Sequence, residues 1–483
     1  MIQKTGLIAS PYNVIIEWRG DNMPFNSFET YPMSWRPDLD KSSRSYYQTL
    51  AQQLETDIKN GVLRPGTKLP PQRELADFLD INVSTVSKAF KLCELKGLLS
   101  ATVGSGTFVA YDALSSGNLM IHHDGDLLIN MGPTAPEPSG NEFLLKMARE
   151  MLSEADAQRL FSYYAPGEDE WQKDAAAKLM LYCGHRADRE QILFAGGGQN
   201  ALTAVLASLF QRGDKIAVDD HTYPGIKTAA AMLGLQLVPV PSEQEGMDAG
   251  MLRNLCKTER IRGIYLIPAC HNPTTAVIPE EKRDQIARIV REFGCILIED
   301  GTYQILHKGC RSISDRVPEQ SVYILSLSKG IAPGLRFACL SVPTAWKAKT
   351  ADALYSLNVS TAPMLAELSA RIIASGQFET IISYHRRHTR ERNQIVSRFF
   401  GSDCCLGSDE NIFRWLILPD QYTGAEFEAL ARSKGVQIFG AERFAVGNTL
   451  PARAVRLSVC SPHNAEQLEQ GIGILAELLK GTI

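Results

Sequence analysis

At 483 residues, with 44% apolar and 22% charged positions and 61 Gly plus Pro, the chain has an ordinary globular composition and length for about three folding units. That excludes a disordered or fibrous chain. The absence of any run of 18 apolar residues, and of a basic-then-apolar leader in Met1–Thr5, points away from membrane and export and toward the cytoplasm. A net charge of −4 gives no overall field for nucleic acid, so DNA binding has to rest on a local motif. Ten scattered cysteines without C-x-x-C spacing read as reduced thiols and give no zinc ligand set.

Residues 1–43 show no clear periodicity and read as an irregular arm. From Tyr46 apolar residues recur at helical spacing, Leu50, Leu54 and Ile58 with Ala51 beside them, and stop at Asn60-Gly61. Pro71 opens a second short helix running to Leu79. Asn82 or Ser84 can cap a third, whose apolar face is Val86, Ala89, Phe90 and Cys93. Leu98 to Val109 then reads as a hairpin around Val103-Gly104-Ser105-Gly106. Three helices and a hairpin over residues 44–110 make a winged helix-turn-helix, and the polar stretch 111–126 reads as a linker. From 127 to 483, strand-like runs at 192–194, 215–218, 235–240, 263–268, 295–299 and 322–327 alternate with helical stretches, the rhythm of a mostly parallel sheet. Beyond about 365 longer helices and a single strand-like run, Arg453–Val459, indicate a second, smaller α/β subdomain. His122-His123 and His385-Arg386-Arg387-His388 read as solvated faces.

In a winged helix-turn-helix the third helix enters the major groove, which calls for short polar side chains at its start, and Asn82-Val83-Ser84-Thr85 supplies them. The segment Pro65-Gly66-Thr67-Lys68-Leu69-Pro70-Pro71-Gln72-Arg73-Glu74-Leu75-Ala76, with Ser84-Thr85-Val86 and Gly104-Ser105-Gly106-Thr107-Phe108-Val109, resembles the GntR family of bacterial regulators. The resemblance implies double-stranded DNA as partner and Arg73, Ser84, Thr85, Ser105 and Gly106 as contacts. Members often carry Arg within the recognition helix, where Val83 and Ser87 stand here. From Asp40 to Asp112 nine Lys or Arg face eight Asp or Glu, so each head binds modestly and dimerisation is expected.

The larger region holds residues that make sense together. A lysine at a strand end in a lined cleft, here Lys329 in Ser326-Leu327-Ser328-Lys329, loses hydration and frees its amine to form a Schiff base with an aldehyde. Ser326 and Arg336 suit a phosphate, as does the strand-turn-helix Phe194-Ala195-Gly196-Gly197-Gly198-Gln199, whose free N–H groups favour an anion. Asp300, just after a buried strand, needs a cation, and a protonated pyridine nitrogen is one. Asn272 and Tyr303 can donate to the ring's phenolic oxygen, and Tyr223 can lie over its face. In chain order these motifs resemble the fold-type I pyridoxal-phosphate aminotransferases. The resemblance implies an α/β body of a large mostly parallel-sheet subdomain and a small one, with pyridoxal 5'-phosphate attached to Lys329. It assigns Asp300 to the pyridine nitrogen, Asn272 and Tyr303 to the phenolate, and Gly198, Gln199, Ser326 and Arg336 to the phosphate, joined by Tyr164 of the partner subunit. Arg456 matches the arginine that binds an amino acid's α-carboxylate, while Thr275 stands where the enzymes usually have Gly.

A GntR-type head on such a body resembles the MocR subfamily of transcriptional regulators. The resemblance implies a sensor of pyridoxal phosphate or of an amino compound held as an external aldimine, in a homodimer arranged head to tail. The other reading is a working aminotransferase of the 2-aminoadipate or aromatic type with an autoregulatory head; transaminase turnover in the regulator is expected to be weak or vestigial.

Overall fold

A computed structural model describes residues 33–39, 45–102, 106–111, 113, 128–137, 140–162, 169–307 and 309–481. Ser105, Tyr164, His122-His123 and most of the arm and linker lie outside the described residues.

The head is built from α1 (Tyr46–Lys59), α2 (Gln72–Leu79) and α3 (Val83–Leu95), followed by strands β1 (Leu99–Thr102) and β2 (Gly106–Val109). The apolar stripe of α1, Leu50, Ala51, Leu54 and Ile58, is buried against Val86, Ala89, Phe90 and Cys93 of α3. Asn82 caps α3, its side-chain oxygen accepting the Ser84 N–H at 2.9 Å. β1 and β2 pair antiparallel, Leu99 opposite Val109. The arm contributes to this core: Trp35 and Leu39 are buried in it, and the Trp35 indole N–H donates to Asp57 at 2.8 Å.

Because the head has its own apolar cluster, separate from that of the body, it depends on a few large side chains. Phe90, fully buried, is among them. Phe90→Ala is expected to cost about 3–5 kcal/mol, which lowers the head's calorimetric transition and leaves the body's in place. A coincident fall of both transitions would contradict separate cores.

The body is organised on a seven-stranded sheet of β3 (Ile192–Ala195), β4 (Lys215–Asp219), β5 (Gln236–Val240), β6 (Ile261–Leu266), β7 (Ile296–Asp300), β8 (Ser321–Ser326) and β9 (Ala338–Ser341), in the order β3-β9-β8-β7-β6-β4-β5. β9 alone runs antiparallel to both neighbours, so the other six strands all end at the same edge. In open α/β sheets that carboxyl edge is where ligands bind. Helices α4 (Gly198–Leu209) and α5 (Pro224–Leu233) follow β3 and β4.

Two features differ from the sequence reading. The smaller subdomain holds a four-stranded sheet, not a single strand: β10 (Cys405–Leu406), β11 (Phe413–Ile417), β12 (Phe439–Gly440) and β13 (Ala454–Ser458), in the order β10-β11-β13-β12. Two of these strands are only two residues long, too short to show alternation. His385 is not on a solvated face: it is buried, its Nε2 lies 3.2 Å from the Ile331 carbonyl, and burial pushes its pKa down to about 4.

Candidate functional site

The carboxyl ends of β3, β4, β6, β7 and β8 deliver the predicted residues to one cleft. After β8, Lys329 donates to the Thr134 carbonyl at 2.5 Å. Burial, with the charges of Arg456 and Arg336 adding to it, pushes its ammonium down to about 7, against the opposing pull of Asp300.

At the end of β7, Asp300 accepts the Tyr265 hydroxyl at 2.9 Å and the Thr302 backbone N–H at 3.0 Å. Burial nevertheless raises its pKa, so a cationic partner would favour its ionised form. Tyr303 lies 3.4 Å from the Thr134 hydroxyl. Tyr223 stands at the N-cap position of α5, and burial, followed by the charge of Asp300, pushes its phenol up to about 12.

The start of α4 forms a close-fitted cradle. Gly197 has φ +96°, and a side chain there would meet the Arg336 guanidinium at 2.7 Å. A side chain at Gly198 would lie 3.3 Å from Ser326 and 3.8 Å from the Thr302 hydroxyl. No side chain caps this helix, so its first N–H groups and positive dipole end face the cradle. Among the described residues no carboxylate pairs with Arg336, whose guanidinium donates to the Gly196 carbonyl at 3.3 Å. Gln199 donates to the Gly225 carbonyl at 2.9 Å while its own buried oxygen has no partner.

Arg456, on β13, is 1% exposed. It donates to the Asn272 side-chain oxygen and to the Gly132 carbonyl, both at 2.7 Å, and its Nε has no partner. The rings of Phe413, Phe439 and Phe444 lie 5.7, 5.5 and 4.9 Å from its guanidinium carbon. Burial pushes its pKa down to about 10, which still leaves it cationic at neutral pH, and among the described residues no carboxylate neutralises it. Such a charge is a ready receptor for a ligand's carboxylate. Thr275 adopts φ +65°, the left-handed conformation that favours glycine.

Tyr265, Thr302, Thr134 and Phe444 were not singled out from sequence. Tyr265 is one apolar-looking position in a buried strand, and Thr134 meets Lys329 through its backbone carbonyl, which no side chain announces. Thr302 directly follows Gly301 after Asp300, and that proximity is the signal that could have found it.

In the head, Arg73 and Ser84 are exposed and Thr85 is half-buried. The Ser87 hydroxyl donates to Gln72 at 2.6 Å, tying the first turn of α2, and with it Arg73, to the start of α3. Lys68, also missed, lies 5.9 Å over the Phe108 ring and packs where a side chain at exposed Gly106 would go. It puts a cation at the base of the wing.

Two family descriptions match: bacterial regulatory proteins of the gntR family over residues 46–109, and aminotransferase class I and II over residues 128–475. The uncharacterized HTH-type transcriptional regulator YdeF of Bacillus subtilis strain 168 is 54% identical over 458 residues, 95% of this chain and 99% of its own. The chain belongs to the MocR-type GntR regulators. Among solved structures, the body of this regulator is similar to an archaeal alanine:glyoxylate aminotransferase (TM-score 0.68, 19% identity, 74% of this chain and 92% of that one). It is also similar to the alpha-aminoadipate aminotransferase LysN of Thermus thermophilus, solved with N-(5'-phosphopyridoxyl)-L-leucine (TM-score 0.66, 24% identity, 76% and 97% coverage). These likenesses establish the fold of the regulator's body.

The cofactor of this family is pyridoxal 5'-phosphate, and the cleft fits it. The glycine cradle with Arg336 suits the phosphate, Asp300 needs a cation, and the Lys329 amine is half neutral near pH 7. Because the neutral amine is the nucleophile, and its fraction grows as pH rises through about 7, capture of pyridoxal phosphate by cofactor-free regulator should speed up through that pH and then level off. Visible absorbance at a series of pH values checks this. A rate still climbing toward the ordinary lysine value of 10.5 would contradict the depressed amine.

Proposed function

We propose that this protein is a DNA-binding transcriptional regulator whose body senses pyridoxal phosphate and an amino compound bound beside it. The observation that carries this reading is the buried Arg456 cation, without a carboxylate partner among the described residues, in the same cleft as the Lys329 amine. Pyridoxal phosphate supplies an aldehyde carbon that takes an amine and a ring that withdraws electrons. Lys329 would hold the aldehyde, Asp300 the pyridine nitrogen, and Asn272 and Tyr303 the phenolate, with Tyr223 over the ring face. Gly198, Gln199, Ser326 and Arg336 would hold the phosphate, with Tyr164 of the partner subunit completing it. Arg456 orients an amino acid by its carboxylate, so that the amine reaches the position of Lys329.

In the head, Arg73, Ser84, Thr85, Ser105 and Gly106 meet DNA, the first by phosphate contact and the recognition-helix residues at base edges. A homodimer, proposed to be head to tail, presents two heads to paired half-sites. Retention of the full set Lys329, Asp300 and Arg456 also favours some transaminase turnover. An amino donor that converts all bound cofactor to its amine form, reversed by a keto acid, would make turnover the main activity.

The regulator reading is tested by incubating holoprotein with fragments of its own genome at near-physiological salt. A discrete retained site with paired half-sites is expected; diffuse, salt-sensitive retention alone would overturn it.

A further inference from the structure

One segment, 441–448, has the carboxylate site on one side and the head on the other. On the body side, the buried Phe444 ring packs on Arg456 at 4.9 Å, the shortest of its three ring contacts. Phe413 and Phe439 are fixed in strands β11 and β12, whereas Phe444 follows a single helical turn outside the sheet. The same segment is bonded along its length to the stretch that carries Tyr223. The Thr222 N–H donates to the Phe444 carbonyl at 2.9 Å and the Val446 N–H to the Asp220 carbonyl at 3.0 Å. The buried Lys227 amine donates to the carbonyls of Arg443 and Ala445 at 3.1 and 2.6 Å. Ring-face residue and carboxylate receptor therefore bear on one strap.

On the head side, the Gly447 carbonyl accepts the Tyr111 N–H at 2.8 Å, the one backbone hydrogen bond between head and body among the described residues. Gly447 has φ +58°, and a side chain there would lie 3.4 Å from the Ser100 hydroxyl of β1. The Tyr111 ring in turn fills the space beside Gly66, where a side chain would meet its hydroxyl at 2.7 Å, in the turn that precedes α2. A cleft of about 730 Å³ flanks this contact, lined from the head by Lys91 and Glu94 of the recognition helix and from the body by Lys227 and Asn448. Among the described residues the head thus bears on the body through this contact beside an open cleft.

We infer that the strap 441–448 is the surface through which the head reads whether a carboxylate occupies Arg456. Both terminal nitrogens of Arg456 are held by neutral acceptors, Asn272 and Gly132. A carboxylate taking the guanidinium fork displaces at least one of them and re-aims the group. Close-packed neighbours follow such a shift, and of the three rings on Arg456 Phe444 is the one outside the sheet. The inference rests on the sensor reading above and adds the route by which the ligand reaches the head.

The test uses two reduced adducts, N-(5'-phosphopyridoxyl)-L-alanine and N-(5'-phosphopyridoxyl)-ethylamine, which differ only in the carboxylate. Each is loaded onto cofactor-free full-length protein, retention is checked by absorbance after gel filtration, and amide hydrogen exchange is followed in peptides spanning Tyr111 and 444–448. Exchange at Tyr111 is expected to differ about fivefold or more between the two adducts, the low end of ordinary allosteric coupling. The difference should vanish in Gly447→Val, strained at its positive φ and crowded against Ser100, while both adducts still bind; Tyr111→Ala, which removes the ring packed beside Gly66, is the second variant, and there the adduct difference should persist in the 444–448 peptides and be lost in the head peptides around Gly66. Equal exchange at Tyr111 with both adducts bound overturns the inference and leaves the cofactor site standing. If neither adduct is retained, the cofactor reading fails and the inference with it.

Discussion

Lys329→Ala protein is expected to lose pyridoxal phosphate on gel filtration, with the visible absorbance of the wild type gone and affinity lower by about 100-fold or more, about 2.7 kcal/mol. The variant removes a buried amine that is neutral enough near pH 7 to hold an aldehyde. The phosphate cradle at Gly198, Ser326 and Arg336 and the Asp300 carboxylate are untouched, so weak non-covalent binding should persist at high cofactor concentration. Removing this partly charged amine also relieves its repulsion with Arg456 and Arg336. Retention of cofactor absorbance by the variant would place the attachment elsewhere. On the proposed sensor reading, DNA affinity of the variant should no longer depend on added pyridoxal phosphate.

Arg73→Ala has its large effect at the other end of the chain. DNA affinity should fall about tenfold, about 1.4 kcal/mol, and the slope of log affinity against log salt should become shallower by about one. With nine basic against eight acidic residues between Asp40 and Asp112, the head has little spare positive charge to compensate. Arg73 stands at the first turn of α2, beside the Gln72–Ser87 bond that ties this turn to the recognition helix. Cofactor absorbance should be unchanged. An unaltered salt slope, measured by fluorescence anisotropy, would mean that Arg73 meets no phosphate.

Much of this was legible because the governing patterns are local. Leu50, Leu54 and Ile58 announce a helix by spacing alone, and Gly197 and Gly198 announce a tight strand-to-helix turn because a side chain there collides with Arg336 or crowds Ser326. What sequence concealed depends on long-range packing. Ala338–Ser341 is a short apolar run whose antiparallel placement between β3 and β8 is set by neighbours distant in the chain. Tyr265 finds Asp300 across adjacent strands, and Phe444 finds Arg456 across the small subdomain. His385 sits among arginines in sequence, yet the helix turns it inward to the Ile331 carbonyl while Arg387 stays toward solvent. Trp35 packs into the head from a stretch whose composition carries no helical or strand period.

The most direct test of ligand control over the head is the DNA affinity of the wild-type protein for its retained genomic site, measured at one near-physiological salt with the cofactor present and with it removed. The expected result is a change of about 5- to 150-fold, the range of coupling free energies of about 1–3 kcal/mol, with the affinity for pyridoxal phosphate shifting by the same factor when DNA is added. Identical DNA affinity in both states, with cofactor binding verified by absorbance, would contradict it.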